Sequence, residues 1–158
     1  MMVNKVQYRR AHVGDIEDLV KYRTRFLNEA KTHSENETKT LEVALKKYFT
    51  WATSSNEFIG WLAEYEGKLV GTSGLVIWQI PGRYGFLSGK NGYIHNMYTI
   101  PKMRKQGIAT YLLNKLILDA KAMGVERLHL HAREAGDSLY RKKGFNEQQN
   151  PELILRLT

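Results

Sequence analysis

Two groups of residues in this 158-residue chain have the types and spacing to do chemistry. The first is Arg104-Lys-Gln-Gly-Ile-Ala-Thr110, which follows the run Asn96-Met-Tyr-Thr-Ile-Pro101 and opens a long segment with an apolar stripe. A strand, a turn and a helix start in that order leave backbone N–H groups without intrahelical partners, and the helix dipole adds positive charge at the same point. Gly107 permits close backbone approach, Ala109 keeps the first turn thin, and Arg104 and Lys105 put positive charge at the rim. That combination suits a phosphate-like anion. The segment lacks the Gly-Lys-Ser/Thr ending of a Walker loop and the second early glycine of a dinucleotide fingerprint, so neither of those sites is expected.

The second group is titratable. The run Tyr93–Ile100 carries no carboxylate, and His95 is its only group with an ordinary pKa near neutrality. It could take a proton from an ammonium group, directly or through water, or simply be a hydrogen-bonded strand histidine. Tyr140, within Leu139-Tyr-Arg-Lys-Lys-Gly-Phe145, is either a proton donor or a packing residue of a short helix. His129 and His131 share one face of a strand, but no third ligand stands at metal-like spacing, so no metal is expected.

The elements that must position these residues alternate along the chain. A first strand spans Val6–Arg10, and Asp15 and Asp18 open a helix whose stripe is Ile16, Leu19, Val20, Arg23, Phe26 and Leu27. The polar span Lys31–Thr40 predicts a loop, and Leu41–Ala52 a second helix. Phe58–Tyr65 and Leu69–Trp78 predict strands joined by a turn at Glu66-Gly67, the second of them apolar on both faces toward its end. A connection with Pro81, Gly82, Gly85, Gly89 and Gly92 leads to the strand Tyr93–Ile100, with Tyr84 and Phe86 at its tip exposed unless another segment covers them. The helix after the basic turn aligns Ile108, Leu112 and Leu116 beside Ala109, Leu113, Ile117 and Ala120, and ends at Met123-Gly124. A strand over Val125–Ala132, a short helix over Gly136–Lys143 and a final strand over Leu153–Leu157 complete one domain without repeats or linkers.

Composition narrows the class. The hydrophobic fraction of 42% is ordinary for a globular protein, and the absence of cysteine excludes disulfides, thiolate metal sites and cysteine nucleophiles. No apolar h-region or membrane-length run is present, so a soluble, cytoplasmic protein with no membrane partner is expected. The net charge is +8 and lies almost entirely in the second half. Residues 1–80 hold 11 basic and 10 acidic side chains, and residues 81–158 hold 13 and 6. A polyanionic ligand, or nucleic acid, would fit such a half.

The spaced motifs Met97-Tyr-Thr-Ile-Pro-x-x-Arg-x-x-Gly-x-Ala109 and Leu139-Tyr-x-x-x-Gly-Phe145, with the opening Tyr8-Arg-Arg-Ala-x-x-x-Asp15, resemble the GCN5-related N-acetyltransferases over nearly the whole chain. The resemblance implies an α/β (α+β) fold with a mixed, mostly antiparallel central sheet flanked by helices and splayed where acetyl-CoA binds. It implies that the donor's pyrophosphate lies on the backbone of Arg104, Lys105, Gln106, Gly107, Ile108, Ala109 and Thr110. It also implies strand-like pairing of the pantetheine with Met97, Tyr98 and Thr99. Tyr140 matches the family's tyrosine acid. Many relatives carry a glutamate base on the strand before the proline, which this chain lacks; His95 is then the candidate base. Relatives often have asparagine seven residues before the tyrosine, where Arg133 stands here. Tyr22, Phe26, Tyr48, Trp51, Tyr84 and Phe86 fall in segments that line the acceptor side of similar proteins.

The implied activity is acetyl-CoA-dependent acetylation of a primary amine, small-molecule or peptide, by direct attack in a ternary complex. The missing strand carboxylate also admits an acyl-CoA-binding or sensing domain without catalysis. The basic half admits an RNA-directed acetyltransferase or a nucleic-acid binder, although no nucleic-acid module is present. Relatives often dimerise, so a homodimer is open.

Overall fold

A computed structural model describes residues 5–158. Five strands, β1 (Gln7–Arg10), β2 (Phe58–Tyr65), β3 (Lys68–Gln79), β4 (Lys90–Thr99) and β5 (Arg127–His129), form one sheet in that order. The helices are α1 (Ile16–Ala30), α2 (Glu35–Ser54), α3 (Ile108–Ala122) and α4 (Glu134–Lys142). Successive strands are antiparallel except β4 and β5, which are parallel. This is the mixed, mostly antiparallel sheet with flanking helices expected from the sequence. The β2–β3 hairpin turns at Glu66-Gly67, both with positive φ (50° and 71°), which matches the right-handed twist of the strands.

Alternation along β2 divides the core. Phe58 and Leu62 point to one face, where they pack with Leu19 and Val20 of α1 and Phe49 and Ala52 of α2. Ile59 and Ala63 point to the other, against Ile108, Leu112, Leu113 and Leu116 of α3. The helix sits close to the sheet at Gly71, where a Cβ would lie 3.2 Å from Ile108 Cγ2 and 3.3 Å from Leu112 Cδ1. The N-terminal strand is locked by buried Asp15, which accepts two hydrogen bonds from Arg9 (2.9 and 2.8 Å) and one from the His12 N–H (2.8 Å). Burial opposes ionisation of Asp15, but these donors outweigh it and hold its pKa below the usual carboxylate value. Among the described residues, no helix is long and apolar enough to cross a membrane.

Four expectations are corrected. Helix α2 begins at Glu35, not Leu41, because Ser34 and Glu37 form a reciprocal capping box (3.2 and 2.8 Å) that a purely polar reading of Lys31–Thr40 passes over. β5 is three residues long instead of Val125–Ala132, and Leu153–Leu157 forms no strand: Leu153, Ile154, Leu155 and Leu157 are exposed. β5 pairs with β4 only over Asn91–Tyr93, so it offers almost no regular edge for a further strand. At the 79–92 connection Tyr84 is exposed as expected, but Phe86 is buried, with the Arg127 guanidinium 4.4 Å from its ring centroid.

Candidate active site

The parting of β4 from β5 makes the site. Pairing between them covers only Asn91, Gly92 and Tyr93. Three residues on, Asn96 has φ 55° and the β3–β4 register shifts between Thr72 and Gly74, a bulge that redirects the strand. Asn96 is buried, and neither end of its side-chain amide has a partner among the described residues. Beyond the bulge a cleft of about 520 Å³ opens between β4, the start of α3, and the segment from His131 to α4.

Nearly all the residues picked from the sequence meet there. Met97, Tyr98 and Thr99 form one wall, and Arg104, Lys105, Gly107, Ile108, Ala109 and Thr110 form the floor. Gln106 lies just outside, its side chain donating to the Lys102 carbonyl (3.3 Å). Two positive φ values, 58° at Lys105 and 84° at Gly107, curl this loop into the helix. None of the backbone N–H groups of residues 105–110 donates to a backbone carbonyl among the described residues; the first bond into the helix is Tyr111 N–H to Gly107 C=O at 3.0 Å. A run of free donors at a helix start is a seat for phosphate oxygens.

Arg104 has another occupation. Its Nη2 contacts both oxygens of Glu29 (2.7 and 2.6 Å), its Nε donates to the Thr99 carbonyl (2.8 Å), and Tyr98 donates its hydroxyl to the same Glu29 (2.7 Å). Burial raises the Glu29 pKa, and these donors more than reverse it, leaving the carboxyl below its ordinary value. Arg104 therefore braces the loop against the end of α1, and the free positive charge at the rim belongs to Lys105.

Tyr140 stands on the opposite wall with His131, Arg133 and Phe26. Its ring packs edge-on to Phe145 at 6.0 Å. Gly136 makes room for it, since a Cβ there would come within 3.0 Å of Tyr140 Cε2. Burial pushes the Tyr140 phenol above its ordinary pKa, so it keeps its proton at neutral pH.

His95 is not brought to the cleft. It lies on the α1–α2 face of the sheet, 5.7 Å from the Phe58 ring, with Nε2 buried and unpartnered among the described residues. Burial, reinforced by the Arg23 charge, pushes its pKa down to about 4. The pair His129 and His131, expected on one strand, also separates, since β5 ends at His129. His129 Nε2 meets Asn91 Oδ1 at 2.8 Å, while His131 lines the cleft and contacts the Tyr93 hydroxyl through Nδ1. No grouping of three metal-ligating residues occurs among the described residues.

Sequence reasoning passed over His131, Glu29 and Arg23 as parts of this region. One signal existed: Arg23 and Phe26 share a face of α1, so an arginine sat on an otherwise apolar stripe. Of the aromatic candidates, Phe26 lines the cleft, Tyr22 is buried in contact with Tyr98, and Trp51 and Tyr84 are exposed. A second hollow of about 910 Å³ between α1, α2 and the end of β4 is lined by charges of both signs and contains neither a histidine nor Tyr140.

Comparison with known proteins agrees with this architecture. The model of the acetyltransferase (GNAT) family matches residues 19–145. The fold superposes on a predicted acetyltransferase with acetyl-CoA from Clostridium acetobutylicum, with TM-score 0.88 and 32% identity over 96% of both chains. A GCN5-related N-acetyltransferase from Ralstonia eutropha JMP134 matches with TM-score 0.84 and 23% identity over 95% of this chain and 98% of the other. An aminoglycoside acetyltransferase from an uncultured soil metagenomic sample, in complex with trehalose, shares the fold at TM-score 0.70 and 18% identity over the full length of both. No curated protein sequence matches the chain significantly.

Proposed function

Since the chain belongs to the GNAT family of acetyltransferases, we propose that it moves an acetyl group from acetyl-CoA to a primary amine by direct attack within a ternary complex. The observation that carries this reading is a single cleft holding free backbone donors at a helix start on one wall and a protonated, half-buried Tyr140 on the other.

The residues fit the donor. The N–H groups of residues 105–110 would hold its pyrophosphate, assisted by Lys105, and the main chain of Met97, Tyr98 and Thr99, beyond the reach of β5, would pair with its pantetheine arm. When bound, acetyl-CoA supplies the acetyl group as a thioester. A backbone N–H at Met97 would face the negative charge that develops on the carbonyl oxygen. Tyr140 would give its proton to the sulfur as the C–S bond breaks and the N–C bond forms. The proton lost by the amine would go to His131, which lines the cleft and is oriented by Tyr93. His95, with its pKa near 4 and its place outside the cleft, is the alternative acceptor of that proton.

Isothermal titration with acetyl-CoA, followed by free-thiol release over an amine library, tests this reading. The expected result is saturable donor binding and thiol release with at least one amine. Absence of donor binding by the folded protein would refute it. The lack of any carboxylate on β4 favours a second reading, an acyl-CoA-binding domain without catalysis. Donor binding with no thiol release over the whole library would select it.

A further inference from the structure

Two arginines near the cleft lack what the other ion-paired arginines have. Arg9, Arg10, Arg104 and Arg141 each meet at least one carboxylate. Arg23 forms no side-chain hydrogen bond or ion pair with the described residues, although it is half-buried on α1. Arg133 makes one side-chain hydrogen bond among them, Nη1 to the Phe26 carbonyl at 2.7 Å. Both guanidiniums lie against the same ring: Arg133 Cζ is 3.7 Å and Arg23 Cζ 5.7 Å from the Phe26 centroid. A guanidinium presents five N–H donors in a planar fork, so most of this donor capacity is free.

The surroundings supply no counter-charge. The groups acting electrostatically on Arg23 are Arg133, Tyr93 and Tyr48, and its pKa is lowered first by burial and then by Arg133. Glu29, a carboxylate on which Arg133 acts, is already bound by Arg104 and Tyr98. Two like charges partly withdrawn from water without an anion are unfavourable. The donor's phosphates do not explain them, because their seat is at residues 105–110 on the other wall.

We propose that the amine acceptor carries an oxyanion, a carboxylate or a phosphate, and that Arg23 and Arg133 receive it between them against Phe26. The assignment rests on the acetyltransferase reading above and names its substrate class. Arg133 shares the cleft with Tyr140 and His131. An anion bound there leaves the amine of the same small molecule at the point where acetyl transfer would occur. A guanidinium fork matches two oxygens of a carboxylate or phosphate, which gives both affinity and orientation. Polyamines, which add positive charge to an already positive wall, are disfavoured.

Thiol release is to be measured for matched pairs, β-alanine against β-alaninamide and phosphoethanolamine against ethanolamine, with spermidine as the cationic control. The anionic member is expected to show a kcat/KM at least about 10-fold higher in one or both pairs, the larger ratio identifying carboxylate or phosphate. Arg23→Gln is expected to raise KM for that member about 10-fold or more and leave the acetyl-CoA Kd unchanged, with partial recovery in Arg23→Lys. Arg133→Lys provides the second arm, with a weaker loss in the same direction. Preference for spermidine or for the neutral members overturns the proposal. So does an unchanged KM in Arg23→Gln, or acetyl-CoA binding without turnover of any member. Failure of acetyl-CoA to bind at all defeats instead the donor reading on which this one stands.

Discussion

The two walls of the cleft are made in different ways. The wall proposed to hold the donor is contiguous, running from Met97 to Thr110, and the groups it offers are mostly backbone N–H and C=O. It is anchored by buried Met103, Ile108 and Leu112 and tied to α1 through Arg104 and Glu29. The facing wall is assembled from three separate places: Phe26 on α1, with Arg23 beside its ring, His131 and Arg133 after β5, and Tyr140 on α4. Besides α1, its supports are a three-residue strand and a helix with no buried residue. A wall read through main-chain atoms needs only correct local geometry. A wall read through side chains needs several distant segments to arrive together.

The sharpest way to separate the walls is to damage chemistry without touching donor binding. Tyr140→Phe is expected to lower kcat by about 100-fold or more while acetyl-CoA affinity by titration calorimetry stays the same. Equal loss of both would mean that the walls are not independent.

His95 tests whether the α1–α2 face of β4 is as dry as the core around it. Its folded pKa of about 4 lies below the ordinary value of 6.5, so the unfolded chain binds the extra proton first as pH falls. The histidine's contribution to stability is therefore complete above pH 6.5 and is lost progressively down to about pH 4. Urea unfolding should show a loss of about 2 kcal/mol between pH 7 and pH 5 from this group. The loss should be absent in His95→Gln. The same variant should keep the acidic limb of the pH–rate profile, whereas His131→Gln should alter it.

Smaller effects are expected on the donor wall. Gly107→Ala forces a side chain into the left-handed region at φ 84°, a strain of about 1–2 kcal/mol, with weaker acetyl-CoA binding as the readout. A Cβ there meets no other atom within 4 Å, so a stability loss would come from backbone strain alone. Glu29→Gln breaks the brace. The pair is partly exposed, so stability should fall by less than about 1 kcal/mol. A rise in acetyl-CoA Kd with unchanged kcat would show that the brace acts by positioning the loop.

The difference between the walls also explains what could be read from the chain. The residues of the donor wall are adjacent in sequence, and their meaning comes from local rules: a strand, a proline, a positive-φ glycine and an apolar helical stripe. Of those picked from the sequence, all but Gln106 line the cleft. The ends of the elements were harder. The capping box at Ser34 was overlooked because Lys31–Thr40 looks uniformly polar, and the expected strand at Leu153–Leu157 relied on alternation without a partner edge. Arg133 and Arg23 were not legible as neighbours because their proximity arises from packing α1 against one face of the sheet while β5 ends early. His95 looked available because its neutral-range pKa was assumed, and burial beside Phe58 with Arg23 in electrostatic reach changed that.

The early end of the β4–β5 pairing has a consequence for how such a protein can change over generations. Main-chain atoms are the same whatever residue bears them, so the donor wall tolerates drift in most of its side chains. The facing wall sits on separate segments joined by loops, and each can be altered without resetting the others. One substitution at position 23 or 133 could therefore redirect the choice of amine in a single step, with the donor inherited intact. A saturation library read out on several amines should show that asymmetry as a map: tolerance along residues 97–110 outside the buried Met103 and Ile108, the Arg104 brace and Gly107, and switches of preference clustered on α1 and after β5.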